Sequence, residues 1–172
     1  MPTFGNTTVG GDTFPCSNDR AMLSAFTLSE AGTVSGVSMR FSSATTAGCN
    51  FKGLIYADSS GSPGSRLGVG AATAIPAGGG VIESTLSLAL SAGTYWLGYV
   101  TDSFQAEAEI ETTGTSQRKE ALTYASPADP YGTPSGSSTE ICVYATYTAS
   151  GGSGPLVRKV FGSPIFESRI MQ

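Results

Sequence analysis

Three alternating glutamates, Glu107, Glu109 and Glu111, form the densest group of acidic side chains in the sequence. In a β-strand these side chains share one face, at a spacing of about 7 Å. Glycosidases need only a pair of carboxylates, and no histidine, to cleave a glycosidic bond. A solvated strand face explains the same pattern, because no neighbouring run suggests an apolar cleft that would raise one pKa. The pattern therefore predicts a strand and assigns no catalytic residue.

The other motifs that carry chemistry are incomplete. Residues 116–119 have the S-x-x-K spacing of acyl-transferring serine enzymes, but no S-D-N or K-T-G follows. Residues 68–73 begin like a dinucleotide-binding loop and lack its third glycine. Asp58 and Asp102 offer oxygens to calcium without the spacing of a calcium loop, which favours turns that cap their own backbone. Histidine is absent, which excludes Ser-His-Asp triads, Cys-His pairs and the common zinc sites, and we predict no catalytic residue, cofactor or metal.

The aromatic run at residues 94–99 is the candidate binding site of the body. In a strand it places Tyr95 and Tyr99 on one face and Trp96 on the other. An exposed Trp with Tyr neighbours forms a stacking platform for sugars. The single Trp of a sandwich is more often a core residue, so both interpretations stay open for these three residues.

The three cysteines, Cys16, Cys49 and Cys142, are widely spaced and form no C-x-x-C pair. An odd number with this spacing is not a disulfide framework. We predict buried free thiols.

Composition and periodicity indicate an all-β fold. Only 13% of the residues are charged and 23 are glycine, which disfavours helical bundles. Apolar and polar residues alternate from Phe104 to Ile110, as in a half-buried strand, and the glutamates that interleave with them are expected to protect a sheet edge. We predict an antiparallel β-sandwich, jelly-roll-like, of about eight strands, with residues 115–122 as the one candidate for a helical turn. The predicted strands are 23–29, 34–42, 51–57, 81–90, 94–101, 103–111, 121–126 and 140–148.

The chain divides into a body and a tail of different composition. Residues 1–19 are expected to be an N-terminal extension or a first edge strand, 20–148 the sandwich, 149–154 a flexible Gly/Ser linker and 155–172 a C-terminal docking arm. Residues 1–150 hold six basic and twelve acidic residues, whereas 151–172 hold three basic residues and one acidic residue. The candidate contact residues of the arm are Leu156, Val157, Arg158, Val160, Phe161, Ile165, Phe166 and Ile170.

An apolar tail of this kind is expected to be buried against something, because a disordered tail is normally polar. One possibility is that it folds back as a last strand on its own sandwich. The other is that the linker delivers it to another subunit, where it adds to a sheet edge and fills pockets.

The sequence also indicates where the protein acts. The acidic body lacks a Lys/Arg cluster, which disfavours nucleic acid. No secretory signal is visible, and the most apolar stretch, residues 67–82, is broken by Pro76 and several glycines, which disfavours a membrane span. We predict a chain made in the cytoplasm, with neither nucleic acid nor membrane as a partner.

Three segments resemble a β-sandwich domain of tailed-bacteriophage virion proteins and some bacterial surface proteins. They are Leu54-Ile55-Tyr56-Ala57-Asp58-Ser59-Ser60-Gly61-Ser62-Pro63-Gly64, Leu86 to Leu90, and Ala92-Gly93-Thr94-Tyr95-Trp96-Leu97-Gly98-Tyr99. The resemblance spans roughly residues 20–148. With an arm added, the chain is similar to capsid cement, or decoration, proteins, which are small β-rich subunits, often trimers, that clamp major capsid subunits on the outside of the shell. The resemblance implies a structural, non-enzymatic protein of the virion exterior, assembled in the host cytoplasm, whose partners are the major capsid protein and itself as a homotrimer.

Two other functions fit the same sequence. One is a carbohydrate-binding module of a head or tail fibre, which would recognise the host surface through Trp96 and its neighbouring tyrosines. The other is a minor tail subunit.

Overall fold

The computed structural model describes residues 1–119 and 121–151, and these form two antiparallel β-sheets packed face to face. The all-β class is confirmed, and the described residues contain no helix. They form fourteen strands, more than the eight predicted, because several short strands of two to four residues join the long ones. The strands are β1 Thr3–Gly5, β2 Asp12–Pro15, β3 Ala21–Leu28, β4 Gly32–Phe41, β5 Cys49–Asp58, β6 Pro63–Val69, β7 Thr73–Ile75, β8 Gly80–Leu90, β9 Gly93–Thr101, β10 Glu107–Glu111, β11 Ser116–Lys119, β12 Ser135–Ser137, β13 Glu140–Ile141 and β14 Val143–Ala149.

Sheet A contains β1, β2, β4, β8, β10, β13 and β14, and sheet B contains β3, β5, β6, β7, β9, β11 and β12. Strand β4 is the centre of sheet A, with β8 on one side and β14 on the other. Strand β9 is the centre of sheet B, between β3 and β5. Residues 1–19 contribute two strands, since β1 pairs with β14 and β2 pairs with β10.

The main core lies between the two sheets. Inward-facing residues of β4, among them Val37 and Phe41, pack against Phe51 and Tyr99 of sheet B. The Phe41 ring meets the Phe51 ring edge-on at 5.1 Å between centroids. Ser84 joins the two layers, because its Oγ accepts the Gly53 N–H at 2.9 Å and donates to the Ala71 carbonyl at 2.7 Å.

A second apolar cluster lies on the outer face of sheet B. It contains Leu54, Tyr56 and Trp96 from the sheet, and Leu122 and Tyr131 from the irregular segment that follows β11. This segment, residues 121–134, forms a third layer, which we call the cover. Sheet B is therefore buried on both faces, whereas the outer face of sheet A has no comparable layer among the described residues.

Three local predictions are wrong. Residues 116–119 form strand β11 instead of a helical turn, because they pair with β3 and β12. Residues 121–126 belong to the cover and form no strand. Phe104 is 77% exposed, because β10 begins only at Glu107 and the preceding residues form a surface loop.

Candidate functional site

The aromatic run does not form a stacking platform. Trp96 is 3% exposed, lies under the cover, and its Nε1 donates to Asp58 Oδ1 at 2.9 Å. Tyr99 is 1% exposed between the two sheets. Tyr95 is half-buried, with its hydroxyl donating to the Ser91 carbonyl at 2.9 Å. The side chains alternate between the two faces of the strand, as predicted. Tyr95 and Tyr99 pack against the core between the sheets, and Trp96 packs in the cluster under the cover. The platform interpretation is therefore wrong, because the Trp96 ring is not exposed to a sugar.

The cover is what buries Trp96, and specific polar contacts hold it in place. Asp19 binds it twice, because its carbonyl accepts the Leu122 N–H at 2.7 Å and its Oδ1 accepts the Tyr124 N–H at 2.6 Å. Lys52 Nζ donates to the Tyr124 carbonyl at 3.0 Å and lies 4.5 Å from the centre of the Tyr124 ring. The sequence carried one signal for this layer: β5 and β9 are apolar on both faces, as in sheets that are covered twice.

The three glutamates of β10 lie on the outer face of sheet A, as the alternation predicted. They do not protect an edge, because β10 is paired on both sides, with β2 on one and with β4 and β13 on the other. The N-terminal segment runs along the row and donates hydrogen bonds to it. These bonds run from Thr8 Oγ1 to Glu111 Oε1 at 2.7 Å, from the Gly10 N–H to Glu109 Oε2 at 3.1 Å and from Thr13 Oγ1 to Glu107 Oε2 at 3.1 Å.

An open cleft of about 560 Å³ lies beside this row. Glu111 and Glu140 face each other across β10 and β13, and Asn6 Nδ2 donates to Glu140 Oε1 at 2.9 Å. Threonine hydroxyls and the half-buried Phe26 complete the lining. Hydroxyls, an amide, two carboxylates and one aromatic ring are groups that can hold a polar ligand such as a sugar.

The carboxylates that the sequence offered to calcium are engaged within the chain. Asp58 Oδ2 accepts the Gly61 N–H at 3.2 Å in the turn between β5 and β6. Asp102 binds Asn50 through both oxygens, to the N–H and to Nδ2, at 2.7 Å each. Among the described residues, no group of three or more His, Cys, Asp or Glu side chains is placed to hold a metal ion.

All three cysteines are buried free thiols, as predicted. Burial raises the pKa of Cys16 to about 12 and that of Cys142 to about 11. Thiolates are the reactive form of cysteine, so these pKa values describe unreactive core residues.

The candidate contact residues of the arm, from Leu156 to Ile170, lie outside the described residues. The last described backbone bond of the chain is that from the Ser150 N–H to the Ala31 carbonyl, at 2.9 Å. The described residues therefore end at the end of sheet A where β4 begins. Within the described residues, no helix is long and apolar enough to span a membrane.

The comparisons with known proteins leave the fold and the surfaces as the only guides to function. No family model, curated protein or solved structure matches this chain.

Proposed function

We propose that this chain is a structural virion protein, a capsid cement or decoration protein that binds the outside of an icosahedral phage capsid. The observation that carries the proposal is the contrast between the body and the tail. The described body is a two-sheet sandwich in which no group of three or more His, Cys, Asp or Glu side chains is placed to hold a metal ion. It is followed by an 18-residue segment, 155–172, that is rich in large apolar residues and carries a net charge of +2.

In this proposal the sandwich is jelly-roll-like and the segment after the linker is an extended arm that clamps neighbouring major capsid subunits. The large apolar side chains with which the arm docks would leave water, which supplies binding free energy at about 25 cal/mol per Å² before the cost of association. A homotrimer would carry three arms, and the high effective concentration of the second and third arms would strengthen attachment. The acidic body favours a basic docking surface or a basic arm.

The test is attachment of the purified chain to emptied heads of the phage that encodes it. We expect saturable binding at hundreds of copies per head, measured by co-sedimentation and quantitative mass spectrometry. A full-length variant with Ile165, Phe166 and Ile170 changed to Ser should lose attachment. Phe104→Ser is the matched control, because it removes an exposed aromatic from the body. Binding that stops at a handful of copies, or survives the triple change, would refute the cement role.

The cleft between β1 and β10 favours one alternative, a carbohydrate-binding module of a head or tail fibre. Its polar lining and the Phe26 ring would hold the sugar, in place of the buried Trp96. A glycan array separates the two functions. The fibre role predicts a signal that Asn6→Ala weakens and that the changes in the arm leave intact, whereas the cement role predicts no saturable glycan signal.

A further inference from the structure

Strand β8 leaves part of one edge of sheet A unpaired. It pairs with β4 along one side, and on the other side segment 70–73 covers only its middle. There the Ala71 N–H donates to the Thr85 carbonyl at 2.8 Å and Thr73 Oγ1 donates to the Glu83 carbonyl at 3.3 Å. Along an antiparallel strand, every second residue points its N–H and C=O away from a given neighbouring strand. After Glu83 and Thr85, the next residues of β8 whose backbone groups point away from β4 are Ser87 and Ala89. No described residue bonds to them on that side.

The side of the sandwich next to this edge is apolar and open. Leu86 and Leu88 of β8 point toward the core but are only half-buried. Leu67 of β6, the residue before Gly68, is 37% exposed. Gly68 lets β6 approach, since a Cβ there would lie 2.9 Å from Leu86 Cδ1. An exposed edge with leucines behind it is a template for strand addition, which natural proteins normally cover.

The chain itself leaves the sandwich beside this edge. Ala149 of β14 pairs with Gly32 of β4, and Gly32 pairs with Leu90 of β8. The end of β14 therefore lies level with the end of β8 and two strand spacings away, about 10 Å. A strand added to the free edge of β8 would lie one spacing further, about 14 Å from β14. The five residues 151–155 span up to about 17 Å when extended, which is enough to cross β4 and β8.

The sequence beyond the linker contains two apolar runs, 156–161 and 165–170, separated by Gly162-Ser163-Pro164. We propose that residues 156–161 add to β8 of their own sandwich as an antiparallel strand beside Ser87 and Ala89. The second run then stays available for the capsid partner, and this role of the second run rests on the proposed function.

The composition of the first run suits this edge in either register. Alternate residues of a strand share a face, so either Leu156 and Val160 or Val157 and Phe161 would cover the exposed leucines. In each case one cation of the pair Arg158 and Lys159 points to the outer face of β8. The other lies on the leucine side, at the open margin of the sandwich, where its long side chain can reach water. The added strand would close the open side of the sandwich and pair the free backbone groups.

Amide hydrogen exchange of the full chain tests the proposal at two positions. The amides of Ser87 and Ala89 should be protected, although no described residue bonds to them, and the Leu88 amide, which points to β4, serves as the internal reference. A full-length variant with the first run changed should exchange at Ser87 and Ala89 on the order of 100-fold faster and unfold at a midpoint roughly 4 °C lower. The changes in this variant are Leu156→Ser, Val157→Ser, Val160→Ser and Phe161→Ser.

The matched control is the full-length variant with Ile165, Phe166 and Ile170 changed to Ser, which should keep the protection. Equal exchange at Ser87 and Ala89 in the unchanged chain and in the first-run variant would overturn the proposal. Protection that disappears on tenfold dilution would overturn it too, because a second copy would then supply the strand. Loss of head binding in the control variant with protection intact is expected, whereas a control that still binds heads refutes the cement role and leaves this proposal standing.

Discussion

Tyr131→Ala is the substitution that most directly tests the third layer of the structure. Tyr131 is fully buried, and its ring meets the Tyr56 ring edge-on at 5.1 Å between centroids. Its hydroxyl lies 3.4 Å from the Ala21 carbonyl and 3.3 Å from the Gln117 carbonyl, which are long hydrogen bonds. The ring therefore links the cover to sheet B mainly through apolar contact.

The expected loss of stability follows from these contacts. A buried aromatic side chain removes about 150–250 Å² from water, worth about 4–6 kcal/mol at 25 cal/mol per Å². Alanine keeps part of that area, and a surface layer can relax into the space, so we expect the free energy of unfolding to fall by about 3 kcal/mol. Tyr131→Phe keeps the ring and removes the hydroxyl with its two long bonds, so it should cost about 1 kcal/mol.

The assay is urea unfolding followed by tryptophan fluorescence, because Trp96 is the single Trp of the chain and lies under the cover. Tyr131→Ala should also shift the native emission to the red as water reaches the indole. Equal unfolding free energies for Tyr131→Ala and Tyr131→Phe, with unchanged emission, would show that the cover is not packed on sheet B.

Three other perturbations test separate parts of the structure. Ser84→Ala leaves the Gly53 N–H and the Ala71 carbonyl without their buried partner and should lower the free energy of unfolding by about 2–3 kcal/mol in urea. Ser87 is exposed, so Ser87→Ala should change the free energy of unfolding by less than about 0.5 kcal/mol. Equal losses of stability in Ser84→Ala and Ser87→Ala would contradict the role of Ser84. Phe104→Ser should leave the thermal midpoint within about 1 °C, because the ring is 77% exposed; a larger drop in calorimetry would mean that the ring is packed. Burial raises the pKa of Cys16 from 9.0 to about 12, so above about pH 9 the unfolded chain loses a proton that the folded chain keeps. This thiol should contribute up to about 1.4 kcal/mol per pH unit to the fall of stability with rising pH. Urea titrations should therefore give a shallower slope for Cys16→Ala, and an identical slope in that variant would contradict the assignment.

Strand positions were predictable wherever one face of the strand is buried and the other is wet. The alternation of Glu107, Glu109 and Glu111 with Ala108 and Ile110 correctly gave the faces of β10. Alternation failed at Phe104, because a period of two does not say where a strand begins. The short strands β1, β2 and β12 exist through pairing with partners far along the chain, which no local pattern contains.

In the candidate site, too, local alternation predicted the face of each side chain, and contacts between distant residues decided the rest. The sequence placed Trp96 on the face opposite Tyr95 and Tyr99, and the structure agrees. Whether that face was open depended on Leu122 and Tyr131, which belong to a loop-like segment with three prolines. The cleft at Glu111 and Glu140 depends on a pairing between β10 and β13 that local sequence does not reveal.

The sequence by itself determined the all-β class, the sides of the long strands, the burial of the three thiols and the contrast between an acidic body and a basic, apolar tail. These properties follow from composition and from a periodicity of two, which are local. The tertiary structure alone decided that sheet B is covered twice, that the glutamate row lies on an interior strand, and that the open edge of β8 lies level with the point where the chain leaves β14. Those features are distances between residues far apart in the chain, and packing sets them.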